Sequence, residues 1–187
     1  LVLDTLTFDD GDSSSDYTAI AVDPGNGNFD ATDITANNVS GGTGIQIDDL
    51  TSDQFVNVST ATVEINDGEA IDIAGIADGN VDVAGLTVNS DDPDAGTGVM
   101  VDTDGSAQDI DIAGTSMDNV SVGIDEDTDA SADNLNVSGF TFTNVGTAAV
   151  QLDTGATSFS GEFNVDGITV ERSHDANGVK LGACGGR

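Results

Sequence analysis

Val81-Asp82-Val83-Ala84-Gly85-Leu86-Thr87-Val88 is the stretch that decides the fold. An apolar, polar, apolar triplet is followed by two turn residues and by a second triplet of the same kind. Period-two alternation marks a strand with one face inward. The two middle residues break the alternation, so the chain bends there and both short strands face one interior. The same block begins at Leu1, Phe29, Val56, Ile110, Leu135 and Phe163, with steps of 28, 27, 25, 29, 25 and 28 residues between successive starts. The bend position is Gly85, Gly114, Gly139 or Gly167 in four copies and Asp33 in a fifth, types that tolerate a left-handed backbone. Thr5 and Thr60 hold it in the other two. A β-branched residue is poor at positive φ, so a different local turn is expected there.

A second block follows each first one: a small residue, then apolar, any, apolar. It reads Ala19-Ile20-Ala21-Val22, Gly44-Ile45-Gln46-Ile47, Ala70-Ile71-Asp72-Ile73 and Gly98-Val99-Met100-Val101, then Ser121-Val122-Gly123-Ile124, Ala149-Val150-Gln151-Leu152 and Gly178-Val179-Lys180-Leu181. The small leading residue is expected where two walls approach closely. Each repeat thus offers six inward positions, and only Thr115 among them is polar. Units of 25 to 29 residues with three short strands each can bury their apolar faces only by stacking. The expected fold is all-β, a parallel β-helix (β-solenoid) of about seven coils forming a single domain over 1–187. It is expected to be right-handed, the default for parallel crossovers. The pattern resembles, over the whole chain, the right-handed parallel β-helix repeat of the pectate-lyase-like superfamily. That resemblance implies the fold and no one activity, since lyases, hydrolases, adhesins and phage spikes share it.

Of 187 residues, 35 are Asp or Glu and three are Lys or Arg, a formal charge of −32. Such a surface repels nucleic acid and anionic membranes, and no apolar run is long enough for a spanning helix. It suits high salt, where self-repulsion is screened, and an extracellular or cell-surface setting. The only basic candidates for chemistry, Arg172, His174 and Lys180, sit in the last coil with Asp175. A saccharide groove crosses several coils, so a carbohydrate-active enzyme is the weaker expectation and no catalytic residue is assigned.

Stacking turns equivalent positions into outer ladders with a rung about every 4.8 Å. One is Thr7, Thr35, Thr62, Thr87, Ser116, Thr141 and Thr169, a hydroxyl at every rung. Ice binding would want two such ranks, and the flanking positions Asp9, Asn37, Glu64, Asn89, Asp118, Thr143 and Glu171 are mixed. Exposed Thr suits strands in any case, although the face could serve a glycan or surface ligand. A second ladder, Asp30, Asn57, Asp82, Asp111, Asn136 and Asn164, mixes amides with carboxylates, which lets neighbours share hydrogen bonds. A third, Asp23, Asp48, Asp102, Asp125 and Asp153, is broken by Ala74 and Gly182. Either each Asp accepts turn N–H groups, or Ca²⁺ bridges them with help from Asp49, Asp104 and Asp127. No other cofactor is expected. Asn38, Asn57, Asn119 and Asn136 begin Asn-x-Ser sequons, permissive for glycosylation.

Leu1 already has the pattern of a core residue, as has Leu181, and neither end shows a capping element in the sequence. The expected partner is therefore another copy. Leu1, Leu3, Leu6 and Phe8 would pack on Phe163, Val165, Ile168 and Val170, beside Val179 and Leu181, with Cys184 near enough to crosslink the joint. The reading is a structural subunit of an extracellular filament or surface layer, built by head-to-tail stacking. The alternatives are an excerpt of an adhesin or autotransporter-like stalk, and the enzyme discussed above.

Overall fold

The computed structural model describes residues 1–9, 17–23, 27–48, 50, 54–76, 79–102, 109–126, 134–152, 162–171 and 177–181. Its strands are β1 (Val2–Asp9), β2 (Thr18–Val22), β3 (Phe29–Ile47), β4 (Gln54–Ala74), β5 (Gly79–Ser90), β6 (Thr97–Asp102) and β7 (Asp109–Asp118). They continue as β8 (Val122–Glu126), β9 (Asn134–Ser138), β10 (Thr141–Thr143), β11 (Ala148–Leu152), β12 (Glu162–Asp166), β13 (Thr169–Glu171) and β14 (Asn177–Leu181). Every pairing between them is parallel and joins residues one coil apart, so the fold is a parallel β-solenoid.

Three walls enclose one core. In the first, Leu3, Ala31, Val58, Val83, Ile112, Val137 and Val165 form successive rungs. In the second they are Phe8, Ala36, Val63, Val88, Met117, Phe142 and Val170. The third runs Val22, Ile47, Ile73, Val101, Glu126, Leu152 and Leu181. Five coils are therefore enclosed on both sides, and the first and last each leave one edge open among the described residues. Inward side chains of the enclosed coils are almost wholly buried. Burial of a Val, Leu or Ile contributes about 1.5–3 kcal/mol each, so the enclosed coils carry most of the stability.

The corner between the first two walls differs from expectation. Thr5 and Thr60 do not take another turn: their φ values are 56° and 60°, matching Asp33, Gly85, Gly139 and Gly167 at 54°, 66°, 75° and 63°. Stacking imposes one corner shape on successive coils, and this overrides the roughly 1–2 kcal/mol preference against left-handed β-branched residues. Thr5 is helped by its hydroxyl, which donates to Asp4 Oδ1 at 3.1 Å. The irregular coil is the fifth, whose glycine looked regular. Gly114 is not left-handed and pairs with Leu86, the register shifts on both sides, and Thr115 is exposed rather than inward. The reason is Phe140, whose ring lies where a Gly114 side chain would stand. The Phe140 and Phe142 rings lie 5.4 Å apart and are fully buried.

The third wall also departs from expectation in this coil. Val99 pairs with Ile124 and Val101 with Glu126, so the block reads Gly123-Ile124-Asp125-Glu126 rather than beginning at Ser121. Glu126 thus occupies an inward position and is fully buried. The small leading residues do stand where two walls meet. A Cβ on Gly44 would lie 2.7 Å from Val63 Cγ1 and 2.7 Å from the Ala70 carbonyl oxygen, and one on Gly98 or Gly123 would overlap Met117 or the Phe142 ring. Beyond the six expected positions, the corner after the second wall adds Val39, Ile65, Val120 and Val145 to the core. Val39, Val120 and Val145 each follow a left-handed asparagine, Asn38, Asn119 or Asn144.

Candidate functional surfaces on the ladders and coil edges

The hydroxyl ladder is continuous. Thr7, Thr35, Thr62, Thr87, Ser116, Thr141 and Thr169 are Cα partners from rung to rung. The second wall holds them at the surface because their neighbours in sequence point inward. The flanking column runs parallel to it: Asp9 pairs Asn37, Glu64 pairs Asn89, Asn89 pairs Asp118, Asp118 pairs Thr143, and Thr143 pairs Glu171. Glu64 follows Val63, the partner of Ala36, and continues the column at a bulge, where Asn37 and Asn38 stand opposite this one residue. What reads as a mixed set in sequence is a strict alternation in space, carboxylate then neutral. Asp9, Glu64 and Glu171 are exposed and the neutral rungs half-buried. The asparagines at the neighbouring corner tie two of the carboxylates: Asn38 Nδ2 donates to Asp9 Oδ1 at 3.0 Å and Asn144 Nδ2 to Asp118 Oδ1 at 3.5 Å. At the same corner a cleft of about 80 Å³ is lined by Asn38, Glu64, Ile65, Asn66, Asn89, Ser90 and Asp91.

On the first wall the amide and carboxylate ladder shares hydrogen bonds as expected. Asn57 Nδ2 donates to Asp30 Oδ1 at 3.4 Å, Asn136 Nδ2 to Asp111 Oδ1 at 2.7 Å and Asn164 Nδ2 to Asn136 Oδ1 at 2.9 Å. Two sequon asparagines, Asn57 and Asn136, therefore have their amides engaged in the stack. The other two, Asn38 and Asn119, form left-handed corners.

The acidic ladder of the third wall keeps its expected break at Ala74 but loses Asp125. Val22 pairs Ile47 and Ala74 pairs Asp102, which puts Asp23 beside Asp48 and leaves Ala74 between Asp48 and Asp102. Asp125 leaves this column altogether, because the two-residue slip of the fifth coil pairs it with Met100 and Gln151. Asp153, Asp49, Asp104 and Asp127 lie outside the described residues. Among the described residues no group of three or more His, Cys, Asp or Glu side chains could hold a metal ion. The column that receives Asp125 runs Ala21, Gln46, Asp72, Met100, Asp125, Gln151 and Lys180. Its last members form a chain of bonds, Lys180 Nζ to Gln151 Oε1 at 2.8 Å and Gln151 Nε2 to Asp125 Oδ1 at 3.1 Å. Asp72 is half-buried, and burial first, then the neighbouring charges of Glu69, Asp48 and Asp102, push its carboxyl up to about 6. Arg172, His174, Asp175 and Cys184 lie outside the described residues. Leu181 pairs Leu152 through its backbone.

The open edges are apolar on the inside. Leu1 is 75% exposed and Val179 45%. Leu3, Leu6, Phe8, Phe163, Val165 and Ile168 are partly buried and pack against the core from the two outer coils. No helix among the described residues is long and apolar enough to cross a membrane. Comparison of the chain with protein-family models, curated proteins and solved structures finds no match in any of the three.

Proposed function

We propose that this chain is a rod-like structural module of an extracellular filament or surface layer, lengthened by stacking one copy's open coil edge on the opposite edge of another. The carrying observation is a contrast within single ladders. Val170 is 36% exposed while its partner Phe142 is fully buried, and Val179 is 45% exposed while its partner Val150 is fully buried. Continuing the registers would set Leu3 on Val165, Leu6 on Ile168 and Phe8 on Val170, and Thr169 against Thr7. Covering eight apolar side chains in such a joint contributes roughly 10 kcal/mol before ordering costs.

Charge opposes the joint and sets its conditions. The positions after the first-wall triplets read Asp4, Thr32, Ser59 and Ala84 as paired rungs, then Ala113, Ser138 and Asp166 beyond the register shift, with a charge only in the two edge coils. Stacking would bring Asp166 against Asp4 and Glu171 against Asp9. Each like pair at one strand spacing costs about 1 kcal/mol in water-like surroundings, so the apolar term wins. Its margin widens in molar salt, where the screening length falls to about 3 Å. A net charge of −32 makes the same demand, since its self-repulsion falls as salt rises.

Sedimentation velocity across about 0.1 to 3 M KCl tests the proposal. Species should lengthen with salt, and Leu3→Asp should stay monomeric throughout with an unchanged circular dichroism spectrum, because the aspartate would stand in the joint. Wild-type protein that stays monomeric at high concentration and high salt would refute the stacking role.

A further inference from the structure

We propose that the second wall is a docking face for an extended basic peptide in the polyproline II conformation, with a lysine or arginine at every third residue. Two parallel columns define the face. Hydroxyls stand at every rung from Thr7 to Thr169, and carboxylates at every second rung, Asp9, Glu64, Asp118 and Glu171. The carboxylates therefore repeat at about 9.6 Å along the rod.

A polyproline II chain rises 3.1 Å per residue with three residues per turn, so one side chain per turn faces the wall every ~9.3 Å. Over the three intervals of the carboxylate column the misfit accumulates to only about 1 Å, within the reach of a lysine side chain. An ordinary strand laid the same way presents side chains about every 6.7 Å and falls out of step after one interval. The hydroxyl column matches the second need of such a ligand. A polyproline II backbone makes no internal hydrogen bonds and leaves its carbonyls open to donors, and Thr and Ser hydroxyls donate. Charge complementarity fixes the sign, since the carboxylates have only neutral Asn or Thr between them. The cleft at Glu64, lined also by Asp91 and the polar side chains of Asn66, Asn89 and Ser90, gives one ammonium group an acidic recess. The wall is formed within the coils, so the proposal holds whether or not copies stack at their edges.

The test compares two labelled peptides of equal charge by fluorescence anisotropy at low salt. One carries lysines separated by two prolines, the other the same lysines separated by four. The first should bind at least about tenfold more tightly. Glu64→Gln and Asp118→Asn should each weaken it several-fold, whereas Asp82→Asn and Asp111→Asn on the first wall should not. Equal binding of the two peptides, or equal weakening by the first-wall variants, would show attraction to net charge alone and overturn the proposal. So would tighter binding of a glucosamine oligomer than of the matched peptide.

Discussion

Thr60 and Gly114 show how stacking overrides residue preference. Read by conformational preference alone, the threonine should bend the chain differently and the glycine should take the left-handed corner. Each does the reverse, because a corner must match the coils above and below and because a neighbouring coil can take its space, as Phe140 does at Gly114. Asp72 is a second residue whose behaviour comes from its stack. Its folded-state carboxyl is raised from 3.8 to about 6, so between those two pH values the native chain holds a proton that the unfolded chain has released. Its contribution to stability is full below the unfolded value and is lost as pH rises through the folded one. Asp72→Asn should therefore stabilise the protein at about pH 7.5, by about 1 kcal/mol once solvent screening of a half-exposed group is counted, and leave it nearly unchanged at about pH 4. Urea denaturation at the two pH values checks this, and an equal effect at both would contradict it.

The coils reveal what a sequence pattern can and cannot register. The block from Val81 to Val88 and its copies pair as their periodicity requires, since a one-residue error would turn the whole apolar set outward. A two-residue error keeps every side chain on its face, and that is the slip in the fifth coil. Ser121-Val122-Gly123-Ile124 satisfies small, apolar, any, apolar, whereas the true block ends on Glu126, which no hydrophobic pattern would choose. Spacing carried the missing signal: from Val99 the next apolar rung is 23 residues on at Val122 but 25 at Ile124, and no first-block step is shorter than 25. The recurring pairs Asn38-Val39, Asn119-Val120 and Asn144-Val145 likewise carried the extra core corner, masked by a break in alternation. The alternating carboxylates of the second wall were readable as residues, but only the register showed their order to be a repeat. Close wall contact leaves no room for a side chain at Gly123. Gly123→Ala pushes a methyl into the Ala149 carbonyl and the Phe142 ring and should cost about 1–3 kcal/mol, lowering Tm by about 2–4 °C per kcal/mol. Among the described residues, Gly178→Ala meets only Val170 Cγ2, at 3.9 Å, and should be close to neutral. Paired thermal melts decide, and equal shifts would contradict the account.

For the molecule as a whole, two large and opposed quantities meet at the edges: exposed apolar rungs on the inside and like charges on the outside. In the proposed joint the apolar term is the larger, and salt would set the margin. Under the proposed stacking, a contact between opposite edges would not close on itself without an imposed rotation, so repeated stacking would give a fibre. The most direct measurement is the axial rise per subunit of assemblies formed at high salt, by electron cryomicroscopy. Stacked coils in unbroken register predict a rise of about 34 Å, seven rungs of about 4.8 Å, with the hydroxyl ladder running on from Thr169 to Thr7 across each joint. Assemblies whose rise is unrelated to a whole number of rungs, or whose subunits touch through their walls, would contradict it.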